Sequence, residues 1–413
     1  MGPIVTLLGL ACLASSVLAQ SGLRVQYQWE YVDWVEPSVE QTGKSYILGN
    51  SFPLDIDIDK LGRIFVTSPQ WFEGIPISLS LMTNAQGPGG PLLTPYPDWS
   101  WHVPNDCEKI TSVFRIAIDE CDRLWFVDLG RRGKTLMCPM KIMVFDLNTD
   151  QLIHTHILSD ETSLNGMASY VTPIVEIGAT CLDTHLFVAD VIRHGMMVYD
   201  LRRDHSWRLN NTYGNAFGND SDVSSLTIAG ETFDLIDGTL GMSLSPPGFS
   251  DKRYLYFNSL ASYYQKFTDV DSLKMSENQE PIIYQSILKR PSQAGVQATS
   301  KRGVLFFQLV EYTAIACWNI EKPFTPENIA VIAQDEEKLQ YVSGIKVKVN
   351  PEGQEELWFN TIRLQKIVLK TIRHDEVNYR TLRGLVDDLI RNTVCEPPNW
   401  RGSYPDLTSW RQI

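Results

Sequence analysis

The sequence is poor in the patterns that usually announce chemistry. Its 413 residues contain no G-x-S-x-G elbow, no H-E-x-x-H helix and no Walker loop. The common nucleophilic, zinc-peptidase and nucleotide-phosphate sites therefore have no local signature. There is no C-x-x-C pair, which argues against zinc-ribbon and thioredoxin readings. Positive charge is in deficit, with 36 Lys and Arg against 49 Asp and Glu and a net charge of −13. Nucleic acid and anionic membranes are not expected partners, because both demand clustered cations. The seven His are scattered. His154 and His156 are alternate residues of a strand-like run, which suits a solvent face better than a metal site, and no metal or other cofactor is expected. Beyond the N-terminus no apolar run approaches the ~20 residues of a spanning helix. Helical periodicity is scarce throughout.

What is present begins with "MGPIVTLLGLACLASSVLAQ", an apolar core followed by small residues at Val17-Leu18-Ala19. It reads as a secretory leader over 1–19 without the usual positive n-region, and the mature chain is expected to be secreted and extracellular. Six Cys follow it: Cys107, Cys121, Cys138, Cys181, Cys317 and Cys395. An even number in a secreted chain favours disulfides, with fifteen possible connectivities. The expected pairs are Cys107–Cys181, Cys121–Cys138 and Cys317–Cys395, the last joining the C-terminal segment to a late repeat. Asn210 and Asn219 begin glycosylation sequons within a polar, loop-like stretch.

The strongest signal is a repeat. "GRIFVTS" (62–68), "RLWFVDL" (123–129), "HLFVADV" (185–191), "YLYFNSL" (254–260), "VLFFQLV" (304–310) and "ELWFNTI" (356–362) anchor on Phe65, Trp125, Phe187, Tyr256, Phe306 and Trp358. The anchors lie roughly 50 to 70 residues apart, within the range of radial arrays. A strand-like run and a polar turn precede each anchor, as in "LDIDID", "VFRIAID" and "GIKVKVN", and further strands follow several of them. An all-β fold is expected: a six-bladed β-propeller with a central channel over 20–395, followed by a tail over 396–413. The continuous apolar runs suit strands buried on both faces between neighbouring blades. The repeated motif is read as the inward strand. Its trailing polar residues Asp128, Asp190, Asn258, Gln308 and Asn360 are then candidates for the channel entrance, and Asp237 joins them as a candidate ligand contact.

Several blocks resemble the insect Yellow / major royal jelly protein family, in family order: "ITSVFRIAIDECDRLWFVDLG" (110–130), "CPMKIMVFDL" (138–147), "VADVIRHGMMVYDLRRDHSWRL" (188–209), "DGTLGMSLSP" (237–246), "RYLYFNSLAS" (253–262) and "AIACWNIEKPFTPENIAVI" (315–332). The resemblance implies a secreted six-bladed propeller. It implies a role in pigmentation, cuticle or eggshell maturation, with a small aromatic amine or catechol, or matrix proteins of cuticle or eggshell, as partners. Two other outcomes are implied by branches of the family: a dopachrome isomerase, with Asp128 or Asp190 as acid or base, and a salivary-type biogenic-amine binder. Propeller blocks do not choose among them. In amine-binding relatives the last block resembles L-W-x-x-S-N-R; here the Asn position is Ile362, before Arg363, and the nearest amide is Asn360. Sixteen Tyr and eleven Trp would supply crosslinking side chains for a purely structural role.

Overall fold

The computed structural model describes residues 22–35, 45–210, 215–397 and 405–413. The expected leader lies outside the described residues, as do Asn211 and Thr212 of the first sequon.

Six sheets of four or five strands form six blades. Their innermost strands are Ile56–Ile58, Val113–Ile118, Tyr170–Ile177, Thr239–Leu244, Gln297–Thr299 and Tyr341–Val349. Each packs against the next, and the last returns to the first, closing a ring around a central channel. The motif strands are the second strand of each blade, not the inward one: Ile64–Thr67, Arg123–Asp128, Thr184–Asp190, Tyr254–Ser259, Val304–Leu309 and Glu355–Ile362. This corrects the inward placement. An apolar run marks burial on both faces, and second strands satisfy that better than strands bordering a polar lumen.

Blade 2 shows how the run works. Leu124 and Phe126 join the cluster shared with blade 1, whereas Trp125 and Val127 join the cluster shared with blade 3. Alternate side chains of one strand thus feed two different interfaces. Each fully buried aromatic contributes about 2–3 kcal/mol of burial. Equivalent clusters fill the remaining seams, such as Phe187 with Phe257 between blades 3 and 4, and Tyr256 with Trp318 between blades 4 and 5.

The turn from inner to second strand is fixed by a recurring cap. Asp59, Asp119, Ser300 and Asn350 each accept the backbone N–H four residues on, from Arg63, Arg123, Val304 and Gln354. In blades 1 and 2 the same Arg also returns its Nε to the carboxylate, at 2.6 and 2.8 Å.

Both chain segments nearest the termini are built into blades. Arg24–Trp29 pairs with Tyr379–Leu385 as the outer strand of blade 6. Trp410–Gln412 adds a fifth strand to blade 4, and Trp410 inserts among Phe267, Trp318 and Phe324.

Three disulfides are formed. Cys317–Cys395 is as expected. The other two correct the expected pairs: Cys107 joins Cys138, and Cys121 joins Cys181. Cys121 and Cys181 occupy the inner-to-second turns of adjacent blades, so they are neighbours in space. Cys107 precedes the inner strand of blade 2 and Cys138 follows its second strand, so both sit at the same end of that blade. No described helix is long and apolar enough to cross a membrane.

Candidate functional site

The channel has two ends: the entry end, where inner strands begin, and the exit end, where they finish. Second strands run back toward the entry end, which places the candidate polar residues there. Five of the six are buried and occupied. Asp128 has no exposed surface. It accepts N–H bonds of 2.8–2.9 Å from Thr111, Ser112 and Gly130, with Lys141 at 3.7 Å. Burial raises its pKa, while Lys141 and the three N–H groups oppose the rise. Asp190 pairs with Arg208 at 2.8 Å and accepts the N–H of Ser169. Both carboxylates thereby fasten the lead-in to their own blade's inner strand.

The three amides fasten the next blade instead. Asn258 donates to Ala294 O and Gly295 O. Gln308 donates to Leu339 O and Gln340 O and accepts from Val342 N. Asn360 donates to Pro53 O, closing blade 6 on blade 1, and accepts from the Thr381 hydroxyl. Blade 1 uses Thr67, whose hydroxyl donates to Phe114 O. The structure does not gather these side chains into one site. Ile362 is buried in the core opposite Tyr341, and Asn360 does not stand in for it.

Asp237 differs. It lies immediately before the inner strand of blade 4, at the entry end. Its residue is half-buried, and its carboxylate, which keeps contact with solvent, has no hydrogen-bond partner among the described residues. Burial raises its pKa to about 6, with Arg115 acting in the opposite sense. Two further residues, not marked in the sequence reading, complete the group. Arg115, a lone cation in the strand "VFRIAI", is 5% exposed and reaches across the lumen. Its Nε and Nη2 donate to Ser343 O of blade 6 at 3.0 and 2.9 Å, and its Nη1 lies 3.3 Å from Thr172 Oγ1 of blade 3. Tyr341 opens the inner strand of blade 6. Its phenol pKa is pushed well up, first by burial, with Asp237 adding to the rise and Arg115 opposing it. The only sequence signal for Arg115 was a charge inside an otherwise apolar strand.

A lid covers this end. The hairpin Ser225–Ile228 and Glu231–Asp234 leaves the connection between blades 3 and 4. It packs on the short helix Leu364–Val368 of blade 6, on the opposite side of the ring. Leu226, Ile228 and Phe233 are buried in the same cluster as Leu364 and Ile367.

His154 and His156 sit on the outer strand of blade 2 and reach Tyr199 and Asp204 of blade 3, forming a blade-to-blade seam. Among the described residues no group of three His, Cys, Asp or Glu is arranged to hold a metal.

The closed ring, the four-stranded meanders and the lidded polar lumen define a six-bladed β-propeller. A family model described as Major royal jelly protein matches residues 111–395. The chain is 36% identical over 395 residues to major royal jelly protein 9 of Apis mellifera, covering 91% of this chain and 90% of that one. It is 32% identical over 409 residues to a dopaminechrome tautomerase of Drosophila melanogaster, covering 94% and 87%. Among solved structures, virginiamycin B lyase from Staphylococcus aureus aligns with a TM-score of 0.45 at 11% identity, covering 88% of this chain and all of that one. The chain belongs to the insect Yellow / major royal jelly protein family.

Proposed function

We propose that this protein is a secreted family member acting in pigmentation, cuticle or eggshell maturation, and that it holds a small catecholamine-type aromatic at the entry end of its channel. The observation that carries the reading is Asp237, a carboxylate with no protein partner, beside Tyr341 and Arg115 and beneath a lid. Holding a carboxylate half-buried and unpaired at a lidded mouth costs free energy, which argues for a ligand that completes it. A ligand ammonium or catechol hydroxyl would bind the carboxylate, with the Tyr341 ring against the aromatic face. Three disulfides fit an oxidising, extracellular setting. A purely crosslinked structural role is less supported, because Tyr312 is the only described tyrosine that is largely exposed.

A second reading, tautomerisation of an aminochrome, is favoured by the same residue and by the tautomerase among the relatives. The reaction is an isomerisation. A base removes a proton from carbon, the electron pair moves into the ring, and a proton is returned to the quinone oxygen, with no net redox change. A carboxyl with pKa about 6 is suited to the first step. The Tyr341 hydroxyl and the Arg115 charge would serve the oxygen.

The test is calorimetry with dopamine and the decay of dopachrome absorbance, each with wild-type protein and Asp237→Asn. Dopamine heat lost in the variant supports the binding reading; accelerated decay lost in the variant supports the catalytic one. A folded wild type with neither heat nor acceleration overturns both.

A further inference from the structure

The exit half of the channel holds a separate cavity of about 240 Å³. Its charges are unequally committed. Asp55 is paired with Lys346 at 3.0 Å and accepts the N–H of Ile116. Asp57 is paired with Lys348 at 2.7 Å and accepts the N–H of Ile118. Asp119 is taken by Arg123 and by the Trp125 indole. Glu120 projects into solvent at the rim. Two guanidinium groups remain without a carboxylate. Arg115 is held by a carbonyl and a hydroxyl. Arg253 donates its Nε to Ser245 O at 3.1 Å, and its other nitrogens have no partner among the described residues. Neither Arg lies within 4.0 Å of a carboxylate among the described residues. Glu176, which acts on Arg253 more strongly than Glu120 does, is itself paired with Lys274 at 3.0 Å.

Arg253 is half-buried and its terminal nitrogens are open to the cavity and to solvent, and a forked guanidinium is shaped to receive a carboxylate. The wall between the charges is apolar, formed by Ile174, Met242, Leu244 and Val347. We propose that the exit half of the channel is a second ligand site, taking a small organic carboxylate whose apolar body lies on this wall and whose anionic group is received by Arg253, with Arg115 above it. The site borders the entry-end group at Arg115, but the cation that receives the carboxylate, Arg253, lies only in the exit cavity.

Benzoate is a suitable probe, with benzamide as its neutral counterpart and inorganic phosphate as the non-organic anion. Calorimetry should show benzoate binding to wild type and not benzamide. Arg253→Gln should weaken benzoate by about tenfold or more, the scale of one charge-assisted pair. Ala117→Leu, which fills the lumen without removing a charge, should weaken it as well, and Asp237→Asn at the other end should leave it unchanged. Thermal melting confirms that each variant is folded. No benzoate heat with folded wild type, unchanged affinity in both channel variants, or phosphate binding as tightly as benzoate would each overturn the proposal.

Discussion

Replacing Asp237 with Asn tests the entry-end site through stability alone. Moving the carboxyl from its ordinary value of 3.8 to about 6 means that the charged form is disfavoured in the folded state by about 2 units. At 1.36 kcal/mol per unit this is about 3 kcal/mol, and solvent contact at the mouth reduces it to about 2 kcal/mol. The sign follows from proton linkage. The folded state binds this proton more tightly than the unfolded state, so wild-type stability falls as pH rises from about 4 to about 6 and is level above that range. An amide does not titrate. The difference between variant and wild type should therefore be near zero at about pH 4, with the variant more stable by about 2 kcal/mol at about pH 7.5. Urea midpoints of both proteins across that range measure it, and the subtraction removes every other titrating group. An offset that is the same at both ends, or a variant less stable at neutral pH, would refute the claim that this carboxylate is held half-buried without a partner. A substitution that stabilises the fold while abolishing ligand heat is what a residue kept for function should give.

Asp128→Asn should do the reverse. One amide cannot accept all three N–H groups, and Lys141 loses its one ion pair among the described residues, so a loss of about 3–5 kcal/mol is expected as a lower melting temperature; an unchanged melting temperature would contradict its fastening role. The two sequons should also differ. Asn219 commits its Nδ2 to Asp220 O and Val223 O, at 3.0 and 3.3 Å, whereas Asn210 is exposed and, among the described residues, its side chain only accepts at Oδ1 from Arg208. In secreted protein, Asn210→Gln should remove a glycan mass and Asn219→Gln should not; the opposite result would refute this ordering.

Much of the architecture could be read from the chain because a radial array writes itself as a repeat. Six aromatic anchors, four of them after a capped turn, correspond to six second strands. The inward strand was misplaced because a run buried on both faces looks alike whether it is first or second in a blade. The better mark of the lumen was alternating charge: Asp55 and Asp57 in "LDIDID" and Lys346 and Lys348 in "GIKVKVN" have the period of a strand and opposite signs. They meet as two rungs between blades 6 and 1, where the ring closes. The Cys121–Cys181 bond was also within reach, since the two residues are 60 apart, about one repeat, in equivalent turns. Cys107–Cys138 depended on which end of blade 2 each loop occupies, which spacing does not reveal. The partnering of Asp128 and Asp190 was hidden for a similar reason: their donors come from lead-in segments about twenty residues earlier and from cations on later strands, Lys141 and Arg208, and a strand-end carboxylate looks the same whether it faces a ligand or a backbone.

The places taken by residues 24–29 and 410–412 give this protein an order in time. On the ribosome, residues 24–29 emerge early, yet their partner, Tyr379–Leu385, follows more than three hundred residues later. Blade 4 can assemble midway, but its fifth strand, carrying Trp410, follows its partner Ile283–Ser286 by more than a hundred residues. Between those moments the nascent chain exposes unpaired strand edges of the kind that invite wrong partners. The ring therefore reports on its own completion: a chain halted before residue 379 leaves blade 6 unclosed, and one halted before residue 410 leaves a hole among the aromatic rings between blades 4 and 5. Either would present apolar surface to chaperones, which could retain it without recognising anything else about it.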